Sequence, residues 1–445
     1  MAQATQHPET SSQQYADSGK IAELNGQTDQ ALEDYSRAIE LDPNNDDAYM
    51  ARARIYEDKN ELSQVITDCT KVIEIKPRYE AYIKRGSAYV HIGDADPTKR
   101  QTALALQDFN AAIQLEPDKA EPYAFRGLAY YDQGDYDAAI IAYTEAITHD
   151  VNHEEVVKEA YLARGLAYQA KQEYDLAISD YDQYIKLDPH KSWAYRQRAD
   201  AYAYKHNPTQ AILDYTEAIR LQPDYRDAYF SRGHTYEDLF DYDHALQDFN
   251  KVVELDPKFP FGYEGRGNVY YQTGHYAQAI SEFDAGLNIE PSNGQIYEER
   301  GRAYLRSGKL QQSMDDFNKA IELVPEGTLN YVSRGRAYMS NNDSDSAIAD
   351  FNKALQNNAN YTWAYDNRAI AYAYKGDFTA AFADIDQAIK ISGDKEDSYF
   401  ARGKVYALHG EKDKAIADFN KCAQLARDYG TQQDITKELQ ALQGK

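Results

Sequence analysis

Three arginines carry the most suggestive chemistry in this sequence. Arg302 and Arg306 are four residues apart, and Arg336 stands thirty-four residues beyond Arg302. On a helix the first two share a face. Planar guanidiniums grouped inside an acidic chain suit a carboxylate, from an acidic peptide segment or a chain terminus. Pairing with Glu298, Glu299 or Asp366 is the competing reading. His149 and His153, with Glu154 and Glu155 beside them, have the spacing of a metal pair. They fall at a helix end and a junction, where solvated histidines are the simpler reading, so no metal is assigned. Cys69 and Cys422 make no disulfide framework and are expected to be buried thiols. The chain contains no GxxxxGK[ST], HExxH, nucleophile elbow or CxxC, so no catalytic residue and no cofactor is expected.

Composition narrows the partners. Forty-eight basic residues against 73 acidic ones leave a net charge of −25 over 445 residues. Such a chain repels phosphate backbones and anionic membrane surfaces, so nucleic acid is not expected as a partner. No run approaches 18 apolar residues, so membrane insertion is not expected either. The N-terminus, MAQATQHPETSSQQ, has neither a charged start nor an apolar stretch. The expected location is cytoplasmic, with periplasmic or secreted as the alternative if a leader was removed. The chain has 40 Tyr against 14 Phe and 2 Trp. The fold must want a large ring with a polar tip many times over.

The elements that position these residues follow from a period. Pro43 and Pro77 are 34 residues apart, and so are successive members of Pro189, Pro223, Pro257, Pro291 and Pro325. Within each period an aromatic leads, a small residue follows four later, and a second Tyr three after that. Tyr229, Gly233 and Tyr236 are one example; Ala245, Phe249 and Val252 form a second stripe. Spacing i, i+4, i+7 is one face of an α-helix, so each period is an antiparallel helix pair, here called A and B. The leading Tyr recurs twelve times, from Tyr15 to Tyr399. This pattern resembles the tetratricopeptide repeat (TPR) family over about residues 10 to 427. The resemblance implies an all-α fold, a right-handed α-solenoid superhelix of antiparallel helix pairs. Residues 1–10 are expected to be a disordered tail and 11–427 one array of about twelve repeats. Extra sequence lies at 91–103, expected as an A–B loop, and at 152–159, expected as a helix extension. Residues 428–445, with Ile435, Leu439 and Leu442 on one stripe, are expected to be a capping helix.

A charge ladder runs through the frame. Eleven copies have Arg just before the small A-helix residue, Arg52 through Arg402. Eleven have an acid just before the B-helix aromatic, Asp34 through Asp418, with Ala142 the exception. Paired between helices, these would set register and bind no ligand.

The resemblance also implies function: a scaffold whose A-helix faces line a concave groove holding a partner's peptide. One position past the Tyr stripe lies the candidate groove face. It contributes Leu128 and Tyr131, then Leu162 and Leu166, and nearer the C-terminus Tyr374 and Phe400. Arg302, Arg306 and Arg336 fall on the same face. Asn367 matches the middle Asn of the carboxylate clamp used by chaperone-binding relatives. Val332, Arg336, Asp397 and Ala401 do not complete that set, so a chaperone tail is not expected. The partner is expected to be another protein or peptide, with an acidic segment where it meets the arginines. A structural subunit of an envelope or secretion assembly is one alternative; a metal-binding or enzymatic protein, with His149 and His153 as its only foothold, is the other.

Overall fold

The computed structural model describes residues 11–95, 101–149, 154–393, 395–426 and 429–444; the expected tail at 1–10 lies outside them. All regular structure among the described residues is α-helical, in twenty-five helices. They fall into two units.

Unit 1 spans Met1–Gln210. Its hairpins are α1 (Ser12–Leu24) with α2 (Thr28–Leu41), α3 (Asp46–Asp58) with α4 (Leu62–Ile75), and α5 (Tyr79–Ala95) with α6 (Thr102–Leu115). α7 (Glu121–Asp132) then pairs with α8 (Tyr136–His149), α9 (Glu154–Ala170) with α10 (Tyr174–Leu187), and α11 (Ser192–Tyr204) follows. The unit boundary falls inside α12 (Pro208–Leu221).

Unit 2 spans Ala211–Lys445. It stacks α13 (Arg226–Asp238) with α14 (Tyr242–Leu255), α15 (Pro260–Gln272) with α16 (Tyr276–Ile289), and α17 (Gly294–Arg306) with α18 (Leu310–Leu323). α19 (Thr328–Ser340) with α20 (Ser344–Asn357), α21 (Thr362–Tyr374) with α22 (Phe378–Ser392), and α23 (Glu396–His409) with α24 (Lys412–Leu425) complete the hairpins, and α25 (Tyr429–Gln443) ends the chain. Odd-numbered helices through α23 are A helices.

The hairpins close because their turns are cheap. Eleven A–B turns contain one residue with positive φ, from Gly26 at 73° to Gly410 at 90°. A left-handed residue ends an α-helix and reverses the chain; where it is Asn60 or Phe240 instead of glycine, the same bend costs more. B helices end two residues before the periodic prolines, whose rings disfavour helix at the position between.

The core is a relay of small against large. The ideal Cβ of an alanine at Gly86 would lie 2.6 Å from Phe109, and at Gly335 2.5 Å from Phe351. Only glycine admits an aromatic ring that close. At two of the three alanine positions a smaller side chain replaces the ring: Ala53 shares a cluster with Cys69, and Ala369 with Ile385, while the repeat of Ala199 keeps Tyr215. Packing volume is conserved across the first two pairs.

The tyrosine excess has a structural cause. The leading Tyr hydroxyl donates to the proline carbonyl six residues earlier: Tyr123 to Pro117 (3.0 Å), Tyr263 to Pro257 (3.2 Å) and Tyr331 to Pro325 (3.1 Å). Phenylalanine would fill the space and leave that carbonyl without its donor.

The insertions behave differently from each other. The 91–103 segment is not wholly loop: α5 continues through Ala95, and α6 begins at Thr102. Residues 96–100 between them lie outside the described set. α9 has 17 residues where α11 has 13, although residues 152 and 153 of that junction are outside the described set.

Candidate functional site

In unit 2, five successive A helices and α25 line one cavity of about 370 Å³. Helices of five repeats reach a common space only if that face curves inward. Tyr271 comes from α15, Arg302 and Arg306 from α17, Arg336 from α19, and Trp363, Asp366 and Asn367 from α21. Phe400 comes from α23, with Glu396 and Asp397, and Thr431 and Asp434 come from α25.

One wall is cationic. Arg302 lies over the Tyr271 ring at 4.7 Å and meets Glu298 Oε2 at 3.7 Å. That contact is an ion pair without a good hydrogen bond: Arg302 Nε and Glu298 Oε2 are both buried without a hydrogen-bond partner among the described residues. Arg306 Nη1 donates to Asp434 Oδ2 at 2.6 Å. Arg336 lies over the Trp363 ring at 4.9 Å and makes no ion pair with a described carboxylate. Burial, and after it the nearby Arg306 and Arg302, pull its guanidinium below the ordinary value. Burial raises the Tyr271 phenol, but Arg302, Arg306 and Arg336 together outweigh it, so it ionises more easily than a free tyrosine. The site therefore holds excess positive potential at close quarters.

The facing wall is acidic and largely dehydrated. Asp366 is 2% exposed, and burial, then Asp397, push its carboxyl up to about 7. Ser398 Oγ donates to its Oδ2 at 3.3 Å, while its Oδ1 has no hydrogen-bond partner among the described residues. Behind it, Ser333 Oγ donates to Glu298 Oε1 at 2.5 Å. Gln295 Nε2 bridges Glu264 Oε1 (2.7 Å) and Glu299 Oε1 (3.2 Å). Burial holds the carboxyls of Glu298 and Glu299 above the usual range, and that of Glu264 up at about 7.

The structure brings together Arg302, Arg306, Arg336, Asn367 and Phe400 at this cavity. Asn367 spends its amide on the carbonyl of Trp363 at 2.7 Å, one turn back in its own helix. Tyr374 stands apart, half-exposed, and accepts from Lys404 Nζ at 3.3 Å. Of the competing carboxylates, Glu298 does meet Arg302; the partner of Arg306 is Asp434, which the sequence reading did not consider. Tyr271 and Trp363 were also missed, although each is an aromatic on the face of its helix that the arginines share.

Unit 1 brings Leu128, Leu162 and Leu166 together around a separate, largely apolar cavity of about 370 Å³ between α7 and α9. Ala124, Phe125 and Val156 complete it, with Glu121, Glu155 and Glu159 at its edge. Tyr131 does not line it and instead packs edge-on against Tyr136, ring centres 5.3 Å apart. His149 stacks on Tyr123 at 4.7 Å; His153 lies outside the described residues, which contain no cluster of three metal-ligating side chains. Cys69 and Cys422 are both buried.

The ladder is a network within and between repeats. Arg232 grips Asp248 at two points (2.8 and 2.8 Å), and Arg300 grips Asp316 (2.8 and 2.7 Å). Arg126, whose B helix has Ala142 in place of the acid, turns to Glu145. The third guanidinium nitrogen reaches the preceding B helix: Arg52 to Ser36, Arg85 to Thr70, Arg334 to Asn318 and Arg368 to Asn352. The signal was present, since Ser, Thr or Asn follows the buried B-helix residue (Tyr35, Cys69, Phe317 or Phe351) at each of these positions.

Sequence models of the TPR repeat match residues 24–60 and 267–308, and tetratricopeptide-repeat models match 46–79, 98–192, 227–259, 294–326, 330–361 and 396–429. The chain belongs to the TPR family. Among individual proteins it is similar to human tetratricopeptide repeat protein 13, 27% identical over 128 residues, which are 29% of this chain and 14% of that protein. The chain thus spans a small part of that relative's length. Among solved structures it resembles a tetratricopeptide repeat protein from Parabacteroides merdae, with TM-score 0.49, 20% identity and coverage of 59% and 98%. It also resembles yeast Tom70, with TM-score 0.45, 18% identity and coverage of 97% and 95%. No helix among the described residues is long and apolar enough to cross a membrane.

Proposed function

We propose that this protein is a non-catalytic scaffold that binds a segment of a partner protein on the A-helix face of unit 2. Carboxylates of that segment meet Arg302, Arg306 and Arg336. The observation that carries this is Arg336: a cation enclosed beside two others, stacked on Trp363, with no carboxylate of its own among the described residues. Enclosing such a charge costs free energy unless a ligand compensates it. The leucine-lined cavity of unit 1 offers a second contact, for an apolar side chain of the partner.

The test is affinity capture from native lysate with the full chain and with its Arg336→Gln variant, read by mass spectrometry. Loss of a recovered protein with the variant, at unchanged thermal stability, supports the site. Identical recovery removes it.

A further inference from the structure

The chain already supplies a carboxylate to its own arginines, and the geometry with which it does so describes the ligand. α25 has two working faces. One packs Ile435, 2% exposed, with Leu439 and Leu442 against the Phe419 and Cys422 cluster of the last hairpin. The other carries Tyr429 and, five residues on, Asp434. The Tyr429 ring sits on Gly274 so closely that a Cβ there would fall 2.4 Å from its Cδ1. Asp434 Oδ2 takes the Arg306 guanidinium at 2.6 Å, 128 residues away in sequence. One helix therefore crosses from the last repeat to the turn and A helix of the eighth and ninth.

The far end of that crossing leans on the eighth and ninth repeats. It includes the Tyr429 ring on Gly274 and the partly exposed Asp434–Arg306 ion pair. On either side of α25 lie cavities of about 370 and 620 Å³, where a permanent cap would be close-packed. The seat is also under-filled in charge. α25 brings a single carboxylate, Asp434, to a wall with three guanidiniums, and Arg336 goes without. A partly exposed pair is weak compared with one in which every charge is matched.

We propose that α25 is an internal competitor for the partner site. The partner segment is a helix that places an aromatic ring on Gly274 and two carboxylates on Arg306 and Arg336, lifting the Tyr429–Asp434 face of α25 away. This rests on the partner-binding reading above and adds the ligand's form and the displacement. Leu439, Leu442 and the Lys404–Glu438 pair keep the C-terminal half of α25 docked while its first turns move, so the helix swings without leaving the chain.

The probe is a fluorescein-labelled synthetic peptide of residues 429–443 carrying Gln433→Glu, which gives it two adjacent carboxylates. It is titrated against the full-length chain, the Asp434→Asn chain, and Asp434→Asn combined with Arg336→Gln. The expected result is about tenfold tighter binding to the Asp434→Asn chain than to wild type. That gain should be lost with Arg336→Gln, and hydrogen exchange of the 429–436 amides should accelerate in the wild-type chain at saturating probe. Equal binding to wild type and Asp434→Asn, with unchanged exchange, overturns the displacement. No binding to any chain overturns the helical ligand. In either case, partner capture that still depends on Arg336 leaves the broader reading standing, and its loss brings down both.

Discussion

Arg334 and Asp350, sixteen residues apart, face each other across one hairpin as a two-point fork: Nε to Oδ2 and Nη2 to Oδ1, both 2.8 Å. The remaining Nη1 reaches Asn318 of the preceding repeat at 2.8 Å, so one guanidinium ties three helices. Tyr331 and Tyr338 flank it at 5.8 and 5.9 Å. Asp350→Ala leaves this mostly buried cation without its carboxylate and is expected to cost about 2–4 kcal/mol. Arg334→Leu together with Asp350→Leu removes both charges and is expected to cost less than the single change. Chemical denaturation of the wild type, Arg334→Leu, Asp350→Leu and the double variant, as a double-mutant cycle, measures the coupling. A coupling near zero would show the fork to be decorative.

The small-against-large relay predicts an asymmetry between glycines. At Gly335 an added methyl meets Phe351 at 2.5 Å, so Gly335→Ala is expected to lose about 1–3 kcal/mol by overpacking. Phe351→Leu introduced with it should recover part of that loss, as Ala369 opposite Ile385 already shows in the next repeat. At Gly308 a methyl meets nothing within 4 Å, but φ is +75°, so Gly308→Ala is expected to cost about 1 kcal/mol through backbone strain alone. Thermal melts of the three variants separate steric from conformational cost.

Stability should fall as pH rises through neutrality. Glu264 and Asp366 are pushed up to about 7 by burial. Around Glu264 stand His234, Glu237, Glu290 and Glu299, and around Asp366 stand Asp397, Asp384 and Ser398. Both folded values exceed the ordinary carboxylate values of 4.5 and 3.8, so the folded state holds protons that the unfolded state releases. Their contribution is complete below about pH 4 and is lost as pH rises to about 7, on the order of 3–4 kcal/mol for each group. Denaturation midpoints at pH 5.5 and 8, compared with those of Glu264→Gln and Asp366→Asn, test this; the variants should show a shallower decline.

Both thiols should be silent in the native protein. Cys69 and Cys422 are 0% exposed, and burial pushes the Cys69 thiol up to about 12. Since thiolate is the nucleophile, labelling by a disulfide reagent at pH 8 is expected to be negligible before unfolding and complete after it. Rapid labelling of the native chain would mean that the hairpins holding these residues open locally.

The hairpins, their number, the glycine stripe and the Arg–Asp forks could be read from the amino-acid sequence because each closes within one repeat. Tyr229, Gly233 and Tyr236 lie on one face by helical geometry alone, and Arg232 finds Asp248 sixteen residues later because one short turn lies between them. The link from each arginine back to the preceding B helix was equally local, written in Ser36, Thr70 and Asn318. The site was legible only in part. Spacing put Arg302, Arg306 and Arg336 on one face, but not around one cavity with Tyr271, Trp363 and Phe400. That convergence depends on the small rotation between successive hairpins, which accumulates over repeats and leaves no mark within any one of them. The seat of Asp434 on Arg306 is its clearest product: no periodicity predicts a contact across 128 residues, and the curvature of the stack decides what the last helix can touch.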